Sequence, residues 1–457
     1  MNRAAEPYLR VSQVVNGFTA SRVLHMAVDL DLFTSLANEG KTAAQLSSHL
    51  DVQPEALELL LNALTSLGFL RKESERFFDT PVSHTYLSRS GPKYMGHLIR
   101  HQARSWSAWG RLMEALQTGK PVCKPVPIDK ANAELEDFIR GMHELALARG
   151  DARWLARVIS LVRCRTLLDL GGGPGTYAAL FCRANPQLEA TVVDLPATLE
   201  ITRRILREFD LTGRVQVQAA DYRSEKIPGG PYDVALLSNI LHAETEATNL
   251  QLLRNVYEVL SPGALVMVKD HVMSGDHTEP QNGALFALEM LLTTDGRTYS
   301  FDEISRWLQR AGFTDTTELP LDPPSPVSLV LALRPGKRAL VLLPRPAAKR
   351  EPAAGAVASS LPPAAPFAPA TKGAAPSAAA GTTLPAQASP RAGAQAPRPG
   401  ATRVPSPSRG PARGIHARRT RAASRPRSRA KNARPPRSPR SGGSSRPGRS
   451  RRPRASR

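Results

Sequence analysis

Several sequence features are scarce in this chain of 457 residues, and each scarcity excludes a class of protein. Only three cysteines are present, and none belongs to a C-x-x-C pair, so we predict neither a disulfide framework nor a zinc site and expect no bound metal. No stretch approaches the ~18 consecutive apolar residues of a membrane-spanning helix, and the N-terminus lacks the continuous apolar core of a secretory signal. We therefore expect a cytoplasmic protein without membrane contact.

Acidic residues are almost missing from the C-terminal part of the chain. Residues 336–457 contain 27 lysines and arginines and a single acid, whereas residues 1–335 contain 34 basic and 39 acidic residues. The basic part consists mainly of Ala, Pro, Arg, Ser and Gly, which cannot bury enough apolar surface to offset the entropy of ordering. We therefore predict a disordered tail over residues 336–457. An extension without function is the simpler interpretation, and nonspecific binding of nucleic acid or acidic surfaces is the alternative.

The beginning of the chain predicts a small helical domain. Apolar residues recur at roughly helical spacing over residues 11–36, which indicates amphipathic helices. Thr42 then suits the N-cap of a short helix, Pro54 the first turn of the next, and Gly68 the end of that helix before a hairpin-like pair of segments, FL and RFF. This order predicts a winged-helix-like domain over residues 1–95.

One leucine-rich helix, PEALELLLNALTSL, indicates whether such a domain binds nucleic acid or pairs two subunits. A winged helix that binds nucleic acid needs Lys or Arg side chains that reach phosphates or bases, and this helix has none. We therefore predict that residues 1–95 pair two subunits into a homodimer, and we keep a winged-helix nucleic-acid-binding protein as the alternative from another class. Residues 96–160 are again helical in pattern, and we assign them to a linker that contributes to a substrate pocket.

The period of the sequence changes over residues 161–335. The apolar runs TLLDL, ATVVDL, VQVQAA, YDVALLS and ALVMVKD alternate with helical stretches such as 197–209 and 247–260, and Pro262 with Gly263 suits the turn into the fifth run. This alternation predicts an α/β, Rossmann-like domain with a mostly parallel sheet and helices on both faces. Two last segments near residues 313–333 predict a closing antiparallel pair at the edge.

A glycine-rich turn follows the first predicted strand of that domain. It runs from Asp169 through Gly171 and Gly173 to Gly175, with D-x-G-x-G-x-G spacing, and glycines there allow a tight turn and close approach of a ligand. A dinucleotide fingerprint requires G-x-G-x-x-G, and its last glycine is replaced by Thr176. Pyrophosphate binding is therefore the poorer interpretation of this turn, and we count Asp169, Gly171 and Gly173 among the predicted cofactor-binding residues.

Carboxylates follow the next two predicted strands. Asp194 ends the second strand, where an acid can accept hydrogen bonds from ribose hydroxyls, and Asp221 with Tyr222 follows the third strand. Any one of them could be an ordinary loop residue. The carboxyl ends of consecutive parallel strands meet at one edge of the sheet. The glycine-rich turn, Asp194 and the Asp221–Tyr222 pair should therefore lie together, and as a group they predict a nucleoside cofactor.

A histidine follows the fourth predicted strand. His242 is placed to remove a proton from an incoming hydroxyl group, although a packing role is the commoner reason for a lone histidine. His271, after the fifth strand, is a second candidate, and Asp270 could orient or charge-stabilise His242 across the ends of the strands.

These residues resemble the caffeate-type, or acetylserotonin-type, O-methyltransferases. The resemblance covers about residues 10–334 through landmarks in the same order: the winged-helix start, LLDLGGGPG, VVDLP, AADY, SNILH, LSPGALVMVKD and RTYSFDEISRWLQRAGF. It implies an N-terminal dimerisation domain, a Rossmann-like domain that binds S-adenosyl-L-methionine (SAM), independence of metals, and a small-molecule acceptor. It further implies that Gly171 and Gly173 line SAM, that Asp194 holds its ribose, and that Asp221 and Tyr222 flank its adenine.

The resemblance also implies the catalytic residues. His242 matches the family's catalytic base, Asp270 stands where plant members have a glutamate that positions that histidine, and Ser238 stands where they have a cofactor-contacting lysine. The H-D-W-x-D motif of plant members is altered here, and Gly296 stands where a second supporting glutamate is expected. Carbon methylation and a SAM-binding hydroxylase-like activity therefore remain alternatives to O-methylation.

Aromatic and methionine side chains flank the predicted sheet on both sides in sequence. Such residues at helical spacing more often belong to a core than to a pocket. As a zone for acceptor binding we nevertheless predict five residues: Trp106, Met142, His143, Phe286 and Met290.

Overall fold

The structure is a computed structural model that describes residues 6–36, 39–123, 132–211, 213–321 and 325–336. Apart from Gly336, the predicted tail over residues 336–457 lies outside the described residues. Within the described ranges, no helix combines the length and the apolar character that a membrane span would need.

The N-terminal part has the predicted order of helices followed by a hairpin. Thr42 caps the third helix through a capping box with Gln45, Pro54 is the first residue of the fourth helix, and Gly68 follows that helix with φ +79°. A buried cluster that includes Phe33 and Leu61 holds these elements together. The elements are α1 (Glu6–Asp29), α2 (Leu32–Leu36), α3 (Ala43–Leu50), α4 (Pro54–Ser66), β1 (Leu70–Glu73), β2 (Arg76–Asp79) and α5 (Pro81–Tyr86).

The first helix, α1, buries only part of its apolar surface within one chain. Ala27 and Val28 near its end are buried, whereas Val14, Val15 and Phe18 are 78%, 62% and 57% exposed. Grouped apolar side chains in contact with water are characteristic of an interaction surface. The predicted helices over residues 11–36 are therefore present as α1 and α2, but α1 is exposed on nearly all sides over its first half and is not amphipathic as predicted. We call Val14, Val15 and Phe18 the exposed apolar face of α1.

Four helices connect this part to the sheet, and α6 packs closely along α8. A Cβ atom at Gly141 would lie 2.8 Å from the Cα atom of Leu98, so glycine permits this close approach. Asp137 fastens the same pair of helices, since it accepts from Arg100 Nε at 3.1 Å and lies 2.8 Å from His97 Nδ1. The helices are α6 (Gly96–Trp109), α7 (Leu112–Thr118), α8 (Ala133–Arg149) and α9 (Asp151–Val158).

A seven-stranded sheet forms the centre of the remaining described part of the chain. Its order is β10-β11-β7-β6-β3-β4-β5, with parallel pairing from β7 through β5 and antiparallel pairing of β11 with β7 and β10. The predicted Rossmann-like fold with an antiparallel edge is therefore confirmed. The strands are β3 (Thr166–Leu170), β4 (Glu189–Asp194), β5 (Val215–Ala219), β6 (Tyr232–Ser238), β7 (Leu260–Asp270), β10 (Thr314–Pro320) and β11 (Ser328–Leu333).

Helices cover both faces of the sheet. Val266 and Val268 of β7 pack in one buried cluster, and Leu265 and Met267 pack in the other. A further short pair, β8 (Val272–Met273) with β9 (Tyr299–Ser300), lies beyond β7. The helices are α10 (Thr176–Ala184), α11 (Pro196–Glu208), α12 (Glu246–Val259), α13 (Gln281–Thr293), α14 (Phe301–Ala311) and a 3₁₀ helix (Leu241–Ala243).

The predicted turn at Pro262 and Gly263 needs a correction. Strand β7 already begins at Leu260, so both residues lie within it. The register with β6 shifts over the same stretch, and Gly263 has φ +85°. The turn signal therefore marks an irregularity inside a strand that continues on both sides, which only strand pairing can reveal.

Candidate active site

The glycine-rich loop joins β3 to α10 in a conformation that suits glycine. Gly171, Gly173 and Gly175 have φ angles of +62°, +50° and +70°, which residues with a Cβ atom rarely adopt. A Cβ atom at Gly171 would lie 2.4 Å from the Cδ1 atom of Ile240, whereas one at Gly173 would meet only Ile139, at 3.9 Å. The loop therefore packs against Ile240 at Gly171, whereas the space beside Gly173 is open.

Asp169 lies beneath this loop and is 1% exposed. A Cβ atom at Gly172 would lie 2.7 Å from its carboxyl carbon, so the loop rests directly on the carboxyl group. Burial raises the pKa of Asp169 to about 7, against a hydrogen bond from the Ala178 N–H that lowers it. The geometry thus gives Asp169 a supporting position under the loop, and a direct contact with a cofactor stays a prediction.

Asp194 connects the end of β4 to the same loop. Its Oδ2 accepts from the N–H of Gly173 at 2.9 Å, and its Oδ1 accepts from the N–H of Leu195 at 2.7 Å. Burial raises the pKa of Asp194, and these hydrogen bonds oppose the shift. A carboxylate has about four acceptor sites, so Asp194 keeps capacity for the hydroxyl groups of a ligand.

Tyr222 lies beside the loop on the other side. Its Cε1 atom would be 3.6 Å from a Cβ atom at Gly171, and its hydroxyl group donates to Glu244 Oε1 at 2.9 Å. Asp221, next to it, accepts from the N–H of Arg223 at 3.0 Å in a turn after β5. Tyr222 therefore presents an aromatic ring at the edge of the sheet where the loop lies.

Ser238 completes this edge at the end of β6, where it pairs in register with Lys269 of β7. The predicted positions Asp194, Asp221 and Ser238 thus lie at or just after the ends of three strands, β4, β5 and β6, on the side of the sheet that carries the glycine-rich loop. Open space beside Gly173, a carboxylate with free acceptor capacity and an aromatic wall fit a nucleoside that carries an amino-acid part. The residues present therefore fit SAM.

His242 and Asp270 are in direct contact beside that edge. His242 lies in the 3₁₀ helix after β6, and its Nδ1 atom is 2.6 Å from Asp270 Oδ1 at the end of β7. The backbone N–H of His242 donates to Asp270 Oδ2 at 3.2 Å, and both side chains are buried. Burial by itself would raise the pKa of Asp270, but the charge and hydrogen bond of His242 outweigh it and lower that pKa. Because the ionised carboxylate can only accept, Nδ1 donates to it, and Nε2 takes no part in this contact.

Two further rings pack around His242. Phe286 of α13 is edge-on to His242 with centroids 4.9 Å apart, and it stacks on His271 at 4.3 Å. The backbone N–H of His271 donates to Asp270 Oδ1 at 2.7 Å. Burial lowers the pKa of His271 to about 3, with smaller effects of its charged neighbours, so its ring is neutral near pH 7. One side of His242 is therefore an aromatic wall. Met290, which is buried, follows Phe286 by one helical turn on the same side of α13.

The other predicted acceptor residues contact different parts of the fold. His143 Nδ1 is 2.8 Å from Thr176 Oγ1 at the start of α10, which places it on the side of the glycine-rich loop, with Met142 adjacent on α8. Trp106 packs against α1, with its ring 6.2 Å from that of Phe18. The contacts thus join Phe286 to His242 and leave the acceptor roles of Trp106, Met142 and His143 as predictions.

Two buried charged residues escaped the sequence interpretation. Glu244, two residues after His242, accepts from the Tyr222 hydroxyl and from Arg223 Nε at 2.6 Å. Lys269, inside the apolar run of β7, is 1% exposed and lies 3.5 Å from Asp151 Oδ2. A charged residue within a buried strand was the available signal for Lys269. Over the described residues, no cluster of three or more His, Cys, Asp or Glu side chains could hold a metal ion.

Comparison with known proteins gives the class to which this fold and site belong. Residues 127–314 match the model of an O-methyltransferase domain, and residues 12–89 match an O-methyltransferase dimerisation domain. The second match covers the winged-helix-like region, in agreement with the predicted pairing of two subunits through residues 1–95. The protein class is therefore a SAM-dependent methyltransferase with its own dimerisation domain.

Individual relatives narrow this class to a family. The chain is 32% identical to a 3-hydroxy-5-methyl-1-naphthoate 3-O-methyltransferase from Streptomyces sahachiroi, covering 67% of this chain and 89% of the relative. It is 31% identical to the tetracenomycin polyketide synthesis 8-O-methyl transferase of Streptomyces glaucescens, covering 70% and 95%. Human N-acetylserotonin methyltransferase, solved with SAM, shares the fold at a TM-score of 0.65 and 24% identity, covering 74% and 99%. The chain belongs to this O-methyltransferase family and is a SAM-dependent O-methyltransferase.

Proposed function

We propose that this enzyme methylates a phenolic hydroxyl group of a small aromatic molecule, that His242 is the general base, and that Asp270 positions His242. The observation that carries the proposal is the 2.6 Å contact between His242 Nδ1 and Asp270 Oδ1. That contact fixes the tautomer and the direction of the imidazole ring, which a general base requires.

The cofactor pocket is assigned to the edge around the glycine-rich loop. When bound, SAM supplies a methyl group on a positively charged sulfur, an already activated donor. Gly171 and Gly173 let the backbone approach the ligand, and Asp194 has free acceptor capacity for ribose hydroxyls. Asp221 and Tyr222 flank the space for the adenine ring. Ser238 completes the pocket, and Asp169 supports the loop from below.

The proton of the acceptor is assigned to His242. Its Nε2 lone pair is directed away from Asp270, so it can take the proton of a hydroxyl group bound in front of it. The imidazolium that forms is stabilised by the adjacent Asp270 carboxylate, because burial weakens solvent screening of this pair. General-base catalysis of this kind contributes about 10²- to 10⁴-fold to rate.

The acceptor class follows from the wall beside His242. Phe286 and the neutral ring of His271 offer flat aromatic surfaces, and Met290 adds a deformable apolar one. Such a wall favours a planar aromatic acceptor over a sugar or a charged aliphatic molecule. The naphthoate and tetracenomycin O-methyltransferases among the relatives support the same choice. The dimerisation domain and the exposed apolar face of α1 support a homodimer.

The test uses the full chain, SAM and a panel of hydroxynaphthoates and hydroxylated polycyclic aromatics, with methylated products identified by mass spectrometry and NMR. We expect methyl ethers, and we expect His242→Ala to lower kcat/KM at least about 100-fold. The exposed His49 provides the control variant His49→Ala, which is expected to keep full activity. Retained activity in His242→Ala would refute the general base, and a methyl group found on carbon would refute the proposed reaction.

A further inference from the structure

We propose that Glu244 is a positioning residue of the cofactor site: its buried carboxylate fixes the orientation of Tyr222, whose ring forms one wall of the pocket for the purine base. This inference rests on the proposed placement of the adenine ring beside Tyr222. It also gives a function to the position at which the H-D-W-x-D motif of plant relatives is altered in this chain.

The contacts of Glu244 converge on Tyr222 and its neighbour. A single oxygen, Oε1, accepts from the Tyr222 hydroxyl at 2.9 Å and from Arg223 Nε at 2.6 Å. Glu244 is 6% exposed, so Arg223 supplies the charge that compensates a buried carboxylate. Burial, reinforced by the negative charge of Glu244, raises the pKa of Tyr222 well above its usual range, so its hydroxyl group keeps its proton and donates.

The backbone of Glu244 is held as firmly as its side chain. Its carbonyl oxygen accepts from the Tyr299 hydroxyl at 2.6 Å and from Asn249 Nδ2 at 3.3 Å. Its N–H donates to the carbonyl oxygen of Leu241 at 3.1 Å. A Cβ atom at Gly296 would lie 2.6 Å from the nitrogen of Glu244, so the chain has no room to shift toward β9. Glu244 is therefore held rigidly in place, and Tyr222 is hydrogen-bonded to it.

Tyr222 itself has no such support from secondary structure. It lies in the turn after β5, and its ring extends toward Gly171 of the glycine-rich loop. The Arg223 guanidinium lies 5.8 Å from the ring centroid, so Arg223, the other hydrogen-bond partner of Glu244, also restrains this ring. Without Glu244, the ring would regain rotamer freedom that must be lost again when the purine base binds. The expected consequence is weaker cofactor binding while the fold is kept.

The experiment measures S-adenosyl-L-homocysteine binding to the full chain by calorimetry, because this probe undergoes no reaction. Four variants are compared with the wild type: Tyr222→Phe, Glu244→Met, their double variant, and Glu244→Gln. Tyr222→Phe keeps the ring and removes only its hydrogen bond, and Glu244→Met keeps the length of the side chain and removes its acceptor oxygens. The matched control is Glu246→Gln, since Glu246 is exposed and pairs with Arg310 rather than Tyr222. Thermal unfolding checks the fold of every variant.

The proposal predicts a specific pattern of dissociation constants. Each single variant should bind about five- to tenfold more weakly, and the double variant should be no weaker than the weaker single variant, because both changes remove one interaction. Glu244→Gln keeps an oxygen that can accept from Tyr222 and should recover most of the loss. Wild-type affinity in Glu244→Met, or effects of the two changes that multiply, would overturn the proposal. If Glu244→Met does not fold, Tyr222→Phe at wild-type affinity overturns it equally. Absence of binding to the wild type would instead contradict the proposed cofactor site.

Discussion

Gly296 lies directly against the backbone of the candidate catalytic histidine. A Cβ atom at Gly296 would be 2.1 Å from the carbonyl oxygen of His242, a distance that no side chain can occupy. The resemblance to plant members implies a second supporting glutamate at this position. The close approach means that Gly296 does more than lack a carboxylate, because it admits the backbone of His242 to the place where Asp270 holds its ring.

We therefore predict that restoring the family glutamate harms this enzyme. Gly296→Ala should destabilise the fold by about 2 kcal/mol, in the range found for overpacked interiors, and Gly296→Glu by more. Both should lower kcat, because relief of the clash displaces His242. The control is Gly275→Ala, since a Cβ atom at Gly275 would have no neighbour within 4 Å. Urea unfolding and steady-state rates check the prediction, and an active, stable Gly296→Glu would contradict it.

A second prediction concerns the neutral ring of His271. Burial lowers its pKa to about 3, whereas an unfolded histidine has a pKa near 6.5, so below pH 6.5 the unfolded state binds the extra proton. Stability is consequently lost as the pH falls, by at most about 2 kcal/mol between pH 7 and pH 5. The pKa values of Asp169 and Glu144 are both raised to about 7, which changes the stability in the opposite direction. The effect of His271 must therefore be separated from theirs.

The contributions of the other titrating groups cancel when the pH dependence of a His271 variant is compared with that of the wild type. The difference in unfolding free energy between pH 7 and pH 5 should be about 2 kcal/mol smaller in His271→Phe than in the wild type, because phenylalanine cannot take up a proton. His49→Phe, at an exposed position of α3, should follow the wild-type profile. Urea unfolding at the two pH values gives both numbers. Equal pH profiles for the wild type and His271→Phe would show that His271 is protonated alike in the folded and unfolded states.

Much of the fold could be predicted because its signals are local. Thr42, Pro54 and Gly68 set helix ends through their own conformations, and the glycine-rich turn after β3 needs positive φ angles that glycine supplies. The strand-end carboxylates could be grouped because parallel strands end at one edge of a sheet. The contact of Asp270 with His242 could only be suggested as one possibility, since it joins the end of β7 to the 3₁₀ helix after β6, 28 residues apart in sequence.

The missed features are contacts between side chains that are distant in sequence. Nothing local to Glu244 indicates that it accepts from Tyr222, and the pairing of Lys269 with Asp151 depends on how α9 docks on β7. The residues of the acceptor zone could be predicted only in part for the same reason. Helical spacing identifies a face of a helix but not its neighbour, and the neighbour of Trp106 is α1.

The exposed apolar face of α1 leads to the last prediction. Val14, Val15 and Phe18 are more than half exposed on a helix within the matched dimerisation domain. In a twofold-symmetric dimer each of these side chains is buried once on each subunit. Burying a Phe side chain contributes roughly 2–3 kcal/mol. Phe18→Asp removes that contribution on both subunits and adds a charge that the interface must desolvate. We expect this variant to be monomeric at micromolar concentration in size-exclusion chromatography with light scattering.

The matched control for this variant is Gln13→Asp, which adds the same charge at an exposed polar position of the same helix. It should remain dimeric, because Gln13 contributes little apolar area to a contact between subunits. A monomeric Gln13→Asp would point to general charge repulsion instead of loss of a specific contact. A Phe18→Asp variant that is still dimeric would exclude this face as the interface, and the dimerisation domain would then have to associate through another surface, such as the exposed Leu59 and Leu67 around α4.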